Sequence, residues 1–193
     1  MIVVFGGAFN PPTLAHKEIY QLIDESVNLD KFLFLPVSKK YSKANLIDDF
    51  YRVEMLKILI KDLEKASISK IETQDDKFLG TYQSLLRIKN EYPEQEIAFV
   101  LGADNLLHMN HWINAEKLLS DFKFIVVNRN NENVEKKINK IPLLKTYKDH
   151  FIVLKNYQSN VSSTLFRETL DPSYVDEEVY HYIMKNDLYR GNY

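Results

Sequence analysis

The sequence predicts an α/β fold: a doubly wound parallel sheet of about five or six strands, helices on both faces, and further helices at the C-terminus. Three observations carry this. Short apolar runs alternate with segments of helical periodicity along most of the chain. The 193 residues are 45% hydrophobic, enough for one domain with a real core. No repeat, low-complexity tract or dividing linker interrupts the alternation, so 1–193 reads as a single domain.

The elements follow in order. Ile2 to Phe5 is a short apolar run and reads as a strand. After a glycine and proline loop, Ile19, Tyr20 and Ile23 recur at helical spacing within Lys17 to Asp24. Further strands are expected at Phe32–Pro36, Ala66–Glu72, Glu96–Leu101, Phe122–Asn128 and His150–Leu154. Between them, Val53, Leu56 and Ile60 line one face of a helix over Asp49–Lys61, and Leu85, Leu86 and Ile88 mark another over Thr81–Asn90. Shorter helices fall at Ala115–Leu119 and Val134–Ile138, and closing ones near Ser163–Leu170 and Asp176–Asn186. The lysine-rich loop Ser38–Lys43 and the polar stretch Asn128–Lys140 read as mobile excursions. Ligands of such sheets sit beyond the carboxyl ends of strands, at a topological switch point, so the loops after strands carry the information.

Composition narrows the function. A net charge of −2 gives no reason to expect a nucleic-acid partner. With no cysteine there is no disulfide, zinc–thiolate site or thiol nucleophile. No basic n-region opens the chain and no run approaches the ~20 apolar residues of a membrane span, so a soluble, cytoplasmic protein is expected. The five glycines form neither the dinucleotide fingerprint nor the phosphate-binding loop of the P-loop NTPases.

Two segments point to phosphate. Gly6-Gly7-Ala8-Phe9-Asn10-Pro11-Pro12-Thr13-Leu14-Ala15-His16 joins a strand to a helix whose first turn holds Thr13 and His16. Glycine lets backbone approach a ligand, and a helix N-terminus offers unpaired N–H groups that favour anions. The plain alternative is a strand, a proline turn and a helix cap. Near the other end, Val161-Ser162-Ser163-Thr164-Leu165-Phe166-Arg167 opens a helix on which Ser163, Thr164 and Arg167 lie one turn apart. Hydroxyls, N–H groups and a guanidinium there suit phosphate oxygens; the alternative is a simple cap with Arg167 solvated. Arg52, on the helix after the lysine-rich loop, reads either as a phosphate contact or as structural. Asp104, His108 and His111, at i, i+4 and i+7, could share one face of a helix.

The pairing of the first segment with the second resembles the nucleotidyltransferase superfamily of the H-x-G-H type, whose other mark is I/V-S-S-T-x-x-R. Further landmarks are similar to the bacterial nicotinate (or nicotinamide) mononucleotide adenylyltransferases. They are Gly102-Ala103-Asp104-Asn105 after a strand, Trp112 beyond it, Gly80-Thr81-Tyr82 at a helix start, Val126-Val127-Asn128-Arg129 at a strand end, and Leu188-Tyr189. Two positions depart from the motif: Thr13 stands at its first histidine and Ala15 at its glycine.

The resemblance implies a Rossmann-like fold and transfer of an adenylyl group from ATP to the 5′-phosphate of a pyridine mononucleotide. Gly6, Gly7, Ala8, Phe9, Gly102, Asp104, Ser163 and Thr164 would bind ATP, with Asp104 on the ribose. His16 would meet the α-phosphate, and Thr13 and Arg167, with Ser163 and Thr164, the β- and γ-phosphates. Trp112 would stack on the pyridine, Thr81 and Tyr82 would sit near its carboxylate or carboxamide, and Arg129 and Lys43 would reach phosphate. Mg²⁺ would arrive on the ATP phosphates, with no resident metal site. Another transferase of the superfamily and a nucleotide-binding regulator without catalysis are the competing readings. Nicotinate against nicotinamide stays open, as does a homo-oligomer.

Overall fold

The computed structural model describes residues 1–40, 46–128, 133–155 and 157–190. The elements run β1 (Ile2–Gly7), α1 (Leu14–Ser26), β2 (Lys31–Pro36), α2 (Asp49–Ile60), β3 (Ala66–Ile68), α3 (Ile71–Gln74), α4 (Thr81–Glu91), β4 (Ile97–Gly102), α5 (Ala115–Asp121), β5 (Lys123–Val127), α6 (Val134–Lys140), α7 (Pro142–Thr146), β6 (Phe151–Leu154), α8 (Ser163–Thr169) and α9 (Glu177–Lys185). A 3₁₀ segment, Asn105–His111, follows β4.

All six strands pair in parallel in the order β3-β2-β1-β4-β5-β6. The order reverses between β1 and β4, which opens a crevice beyond their carboxyl ends. Register places Phe5 opposite Val100 and Gly6 opposite Leu35. The sheet separates two apolar layers. Val4, Leu33, Phe99, Leu101 and Phe124 meet Leu85 and Ile88 of α4 and Leu118 of α5 on one side. Val3, Phe32, Phe34, Val100 and Ile125 meet Ile19 and Ile23 of α1 and Leu56 of α2 on the other. Strands covered on both faces need continuous apolar runs, which is why those runs are visible in the sequence. A third cluster joins Met55 and Leu59 of α2 to Phe166, Val179, Ile183, Leu188 and Tyr189, so the C-terminal helices pack on α2.

The helix expected at Val134–Ile138 forms as α6, anchored by buried Val134 and Ile138. Two elements differ from expectation. The strand expected over Ala66–Glu72 ends at Ile68, and Ile71–Gln74 turns into a short helix. The segment after Asp104 is a 3₁₀ helix, whose three-residue turn does not bring i, i+4 and i+7 to one face, so His108 and His111 do not join Asp104 in a metal site.

Candidate active site

A cleft of about 320 Å³ opens at the β1/β4 crevice, lined by Phe5, Gly6, Phe99, Gly102, Asp104, Asn105 and Trp112 among others. Four of the expected site residues thus face one cavity. A larger groove of about 800 Å³ lies between α6 and β6 and carries none of them. Gly102 lies close under Asp104: a Cβ there would stand 2.4 Å from the Asp104 carboxylate, which would have to turn aside. Asp104 is exposed and makes no capping bond to the 3₁₀ segment it precedes. Trp112 ends that segment and stands edge-on to Phe99, with ring centroids 6.2 Å apart. A Cβ on Gly80 would come within 2.9 Å of Ile113, so the N-terminus of α4, with Thr81 in its first turn, abuts the Trp112 segment.

His16 stands beside this cleft, its ring 5.8 Å from that of Phe5 and 5.0 Å from that of Phe9. The Thr13 N–H donates to His16 Nδ1 at 2.9 Å, and the Thr13 hydroxyl lies 2.9 Å from the same nitrogen. An accepting ring nitrogen carries no proton, so the neutral imidazole holds its proton on Nε2, as a donor. Thr13 is fully buried. Its expected place against the β- and γ-phosphates is therefore corrected: its polar groups are turned to the ring they orient. Phe9, at φ +46 and 1% exposed, drives its ring into the core behind His16. Gly7 makes room for that ring, at 3.1 Å from where a Cβ would stand. Ala15, at the motif glycine, is buried in α1, and its carbonyl accepts from Tyr157 Oη at 3.1 Å.

The two phosphate-suited segments meet. Arg167 Nη1 donates to the Asn10 carbonyl at 2.6 Å, and Ser163 Oγ to the Pro11 carbonyl at 2.7 Å, across 157 and 152 residues of chain. Ser162 caps α8 by accepting from the Leu165 N–H at 3.1 Å. Thr164 is exposed and accepts from Arg167 Nη2 at 3.2 Å. Ala8 is exposed as well, with its carbonyl held by Arg52 Nη1 at 2.5 Å. Arg52 is wholly buried and also donates to the carbonyls of Val37 and Ile47 and to Asp49. The carbonyls of residues 8, 10 and 11 are thus each occupied by a distant side chain. A loop that receives a polyanion must turn its carbonyl oxygens away from it.

Tyr82 turns its side chain elsewhere. Its ring lies against Phe122 and its hydroxyl donates to Asp121 at 3.0 Å, away from the cleft. That carboxylate holds the phenol above its ordinary pKa, with some help from burial. Lys43 and Arg129 lie outside the described residues. The residues not foreseen are Asn10, Tyr157 and Tyr189. Only the Leu188-Tyr189 landmark hinted at one of them, without a partner.

A strand–loop–helix with a presented histidine, a second helix start tied to its loop, and a cleft at the switch point together suit a nucleotide-binding protein, and comparison with known proteins places it among the nucleotidyltransferases. The chain belongs to the cytidylyltransferase-like family, whose model matches residues 4–169. It is 33% identical over 192 residues to the "Probable nicotinate-nucleotide adenylyltransferase" of Acholeplasma laidlawii, covering 98% of this chain and 97% of that one. It is also 33% identical over 196 residues to the protein of the same name in Carboxydothermus hydrogenoformans, covering 98% of each. Within the family, then, the chain belongs with the nicotinate-nucleotide adenylyltransferases. The fold is also that of Plasmodium falciparum nicotinic acid mononucleotide adenylyltransferase complexed with NaAD, with a TM-score of 0.80 at 21% identity, covering 99% of this chain and 98% of that one. No described helix is long and apolar enough to cross a membrane.

Proposed function

We propose that this chain, as one nucleotidyltransferase domain in the cytoplasm, transfers the adenylyl group of ATP to the 5′-phosphate of nicotinate mononucleotide. The products are the dinucleotide and pyrophosphate, in a step of NAD biosynthesis. The observation that carries the reading is the junction of the Gly6–His16 loop with α8 through Arg167–Asn10 and Ser163–Pro11, beside the cleft that holds Gly102, Asp104 and Trp112. The names of the relatives support nicotinate as the base.

The nucleophile needs no general base. A phosphate monoester has a second pKa near ~6 and is anionic at neutral pH. The protein's work is to bring two anions into line and to stabilise charge on the α-phosphate and the leaving pyrophosphate. His16 Nε2–H, oriented by Thr13, is assigned to the α-phosphate in the transition state. The α1 N-terminus and loop N–H groups, with Arg167 and Thr164, take the remaining phosphate charge. Asp104 accepts from the ribose hydroxyls over Gly102, and Trp112 stacks on the pyridine. Thr81 and Tyr82 reach the pyridine carboxylate through first-turn N–H groups of α4 rather than through the Tyr82 hydroxyl. Among the described residues no group of three or more His, Asp or Glu converges. Mg²⁺ is assigned to the ATP phosphates, where it would offset their charge.

The test is pyrophosphate release from ATP and Mg²⁺ with nicotinate and nicotinamide mononucleotides in parallel. Turnover that favours nicotinate and stops on adding EDTA is expected. Absence of turnover with both would sink the reading.

A further inference from the structure

We propose that Tyr189 is a positioning residue for this reaction, holding the loop that presents the phosphate-binding groups through Asn10. The inference rests on the proposed function for its meaning, but its geometry stands apart from it. Tyr189 Oη donates to Asn10 Oδ1 at 2.9 Å, across 179 residues of chain. Both residues are buried, Tyr189 at 3% and Asn10 at 2% exposure. The Ile47 N–H lies 3.4 Å from the same oxygen, so Asn10 ties the loop to the start of the α2 region as well.

Asn10 is also the residue whose carbonyl takes Arg167. Its backbone is therefore fixed from α8 and its side chain from the C-terminal segment. Three residues on, Thr13 orients His16. A shift of Asn10 would carry both the Arg167 guanidinium and the Thr13–His16 pair with it. Tyr189 reaches this place by a left-handed turn, with φ +62, a conformation a tyrosine adopts only when its surroundings hold it there. Those surroundings are Phe166, edge-on at 6.2 Å, and the apolar cluster of α2 and α9. The ring packs as a core residue would. The hydroxyl adds a directed bond to the Asn10 side chain inside the loop.

Tyr189→Phe keeps the ring and removes that bond; Tyr182→Phe, on α9 and away from the loop, is the control. Two readouts are taken: steady-state pyrophosphate release, and amide hydrogen exchange at residues 7–10 and 13 against the strand core. The expected result for Tyr189→Phe is about a tenfold lower kcat with KM for ATP little changed. Loop exchange should be about tenfold faster and core exchange unchanged, on the scale of one buried hydrogen bond. Loop exchange equal to wild type overturns the proposal. So does a drop in kcat matched by Tyr182→Phe, or a loss spread uniformly over loop and core. If the wild type releases no pyrophosphate the proposed function falls, while loop exchange still decides whether Tyr189 holds Asn10.

Discussion

On the β1 side of the cleft, the loop from Ala8 to Thr13 is held by side chains of α2, α8 and the C-terminal segment, each bonded to a named carbonyl or amide oxygen. On the β4 side, the surfaces that face the cleft meet by packing, Gly80 against Ile113 and Trp112 against Phe99, while the side-chain bonds of α4, Tyr82 to Asp121 and Ser84 to Glu72, lie away from it. Apolar surface stays open there: Leu79, Leu107 and Ile113 are 40%, 44% and 52% exposed. The difference matches the work proposed for each side. In-line transfer between anions tolerates little error in the donors around phosphorus, so directed bonds fix them. A flat ring needs only a face to lie on, and van der Waals contact adapts to it.

That contrast can be broken or sharpened by substitution. The largest effect belongs to His16→Ala, expected to lower kcat by ~10²–10³ with little change in mononucleotide KM. Near wild-type turnover by the folded variant would remove the phosphate side from the chemistry. Arg52→Met comes next. It strips donors from three carbonyls and leaves Asp49 without its buried partner, at a cost of about 3 kcal/mol in denaturant unfolding. A loss below about 1 kcal/mol would mean that the loop is held by packing, as the Trp112 ring is. Trp112→Leu keeps apolar contact with Phe99 but removes the flat ring. KM for the mononucleotide should rise roughly tenfold, with kcat and KM for ATP nearly constant. A fall in kcat alone would show that this side, too, acts on the transition state. Ala15→Gly is the smallest: about 1 kcal/mol less stable, from the helix propensity of a buried α1 position, with turnover unimproved. A gain in kcat would identify the Ala15 methyl as an obstruction.

Much of this molecule is legible in its sequence where chemistry repeats along the chain. Phe32–Pro36 and Phe122–Asn128 announce strands because a doubly covered strand has no polar face to interrupt it. Ile68 and Ile71 misled because two isoleucines flanking Ser69-Lys70 look like one strand, while the backbone turns at the polar pair. α7 carries its start signal, Pro142 at the first position, but is too short to show a period. Within the site, spacing indicates which segments matter and says nothing about where side chains point. Thr13, Phe9 and Tyr82 lie in the right segments, yet they face His16, the core and Asp121. Asn10 and Tyr189 are 179 residues apart, and no local pattern announces a bond that only tertiary folding creates.

The junction of Asn10 with Arg167 and Tyr189 also dictates when the site can exist. During synthesis, all six strands are available once Leu154 has cleared the ribosome, and the sheet can close around its two apolar layers. The loop that carries His16 has by then been made for most of the chain's translation, yet its Asn10 has neither the guanidinium nor the phenol that fixes it. On the proposed function, the phosphate side of the site is therefore completed only after α8 and the segment beyond α9 have been made, later than the sheet. A nascent chain stalled before that point would hold its sheet but leave Asn10 unfixed and α2 uncovered on its C-terminal-helix face.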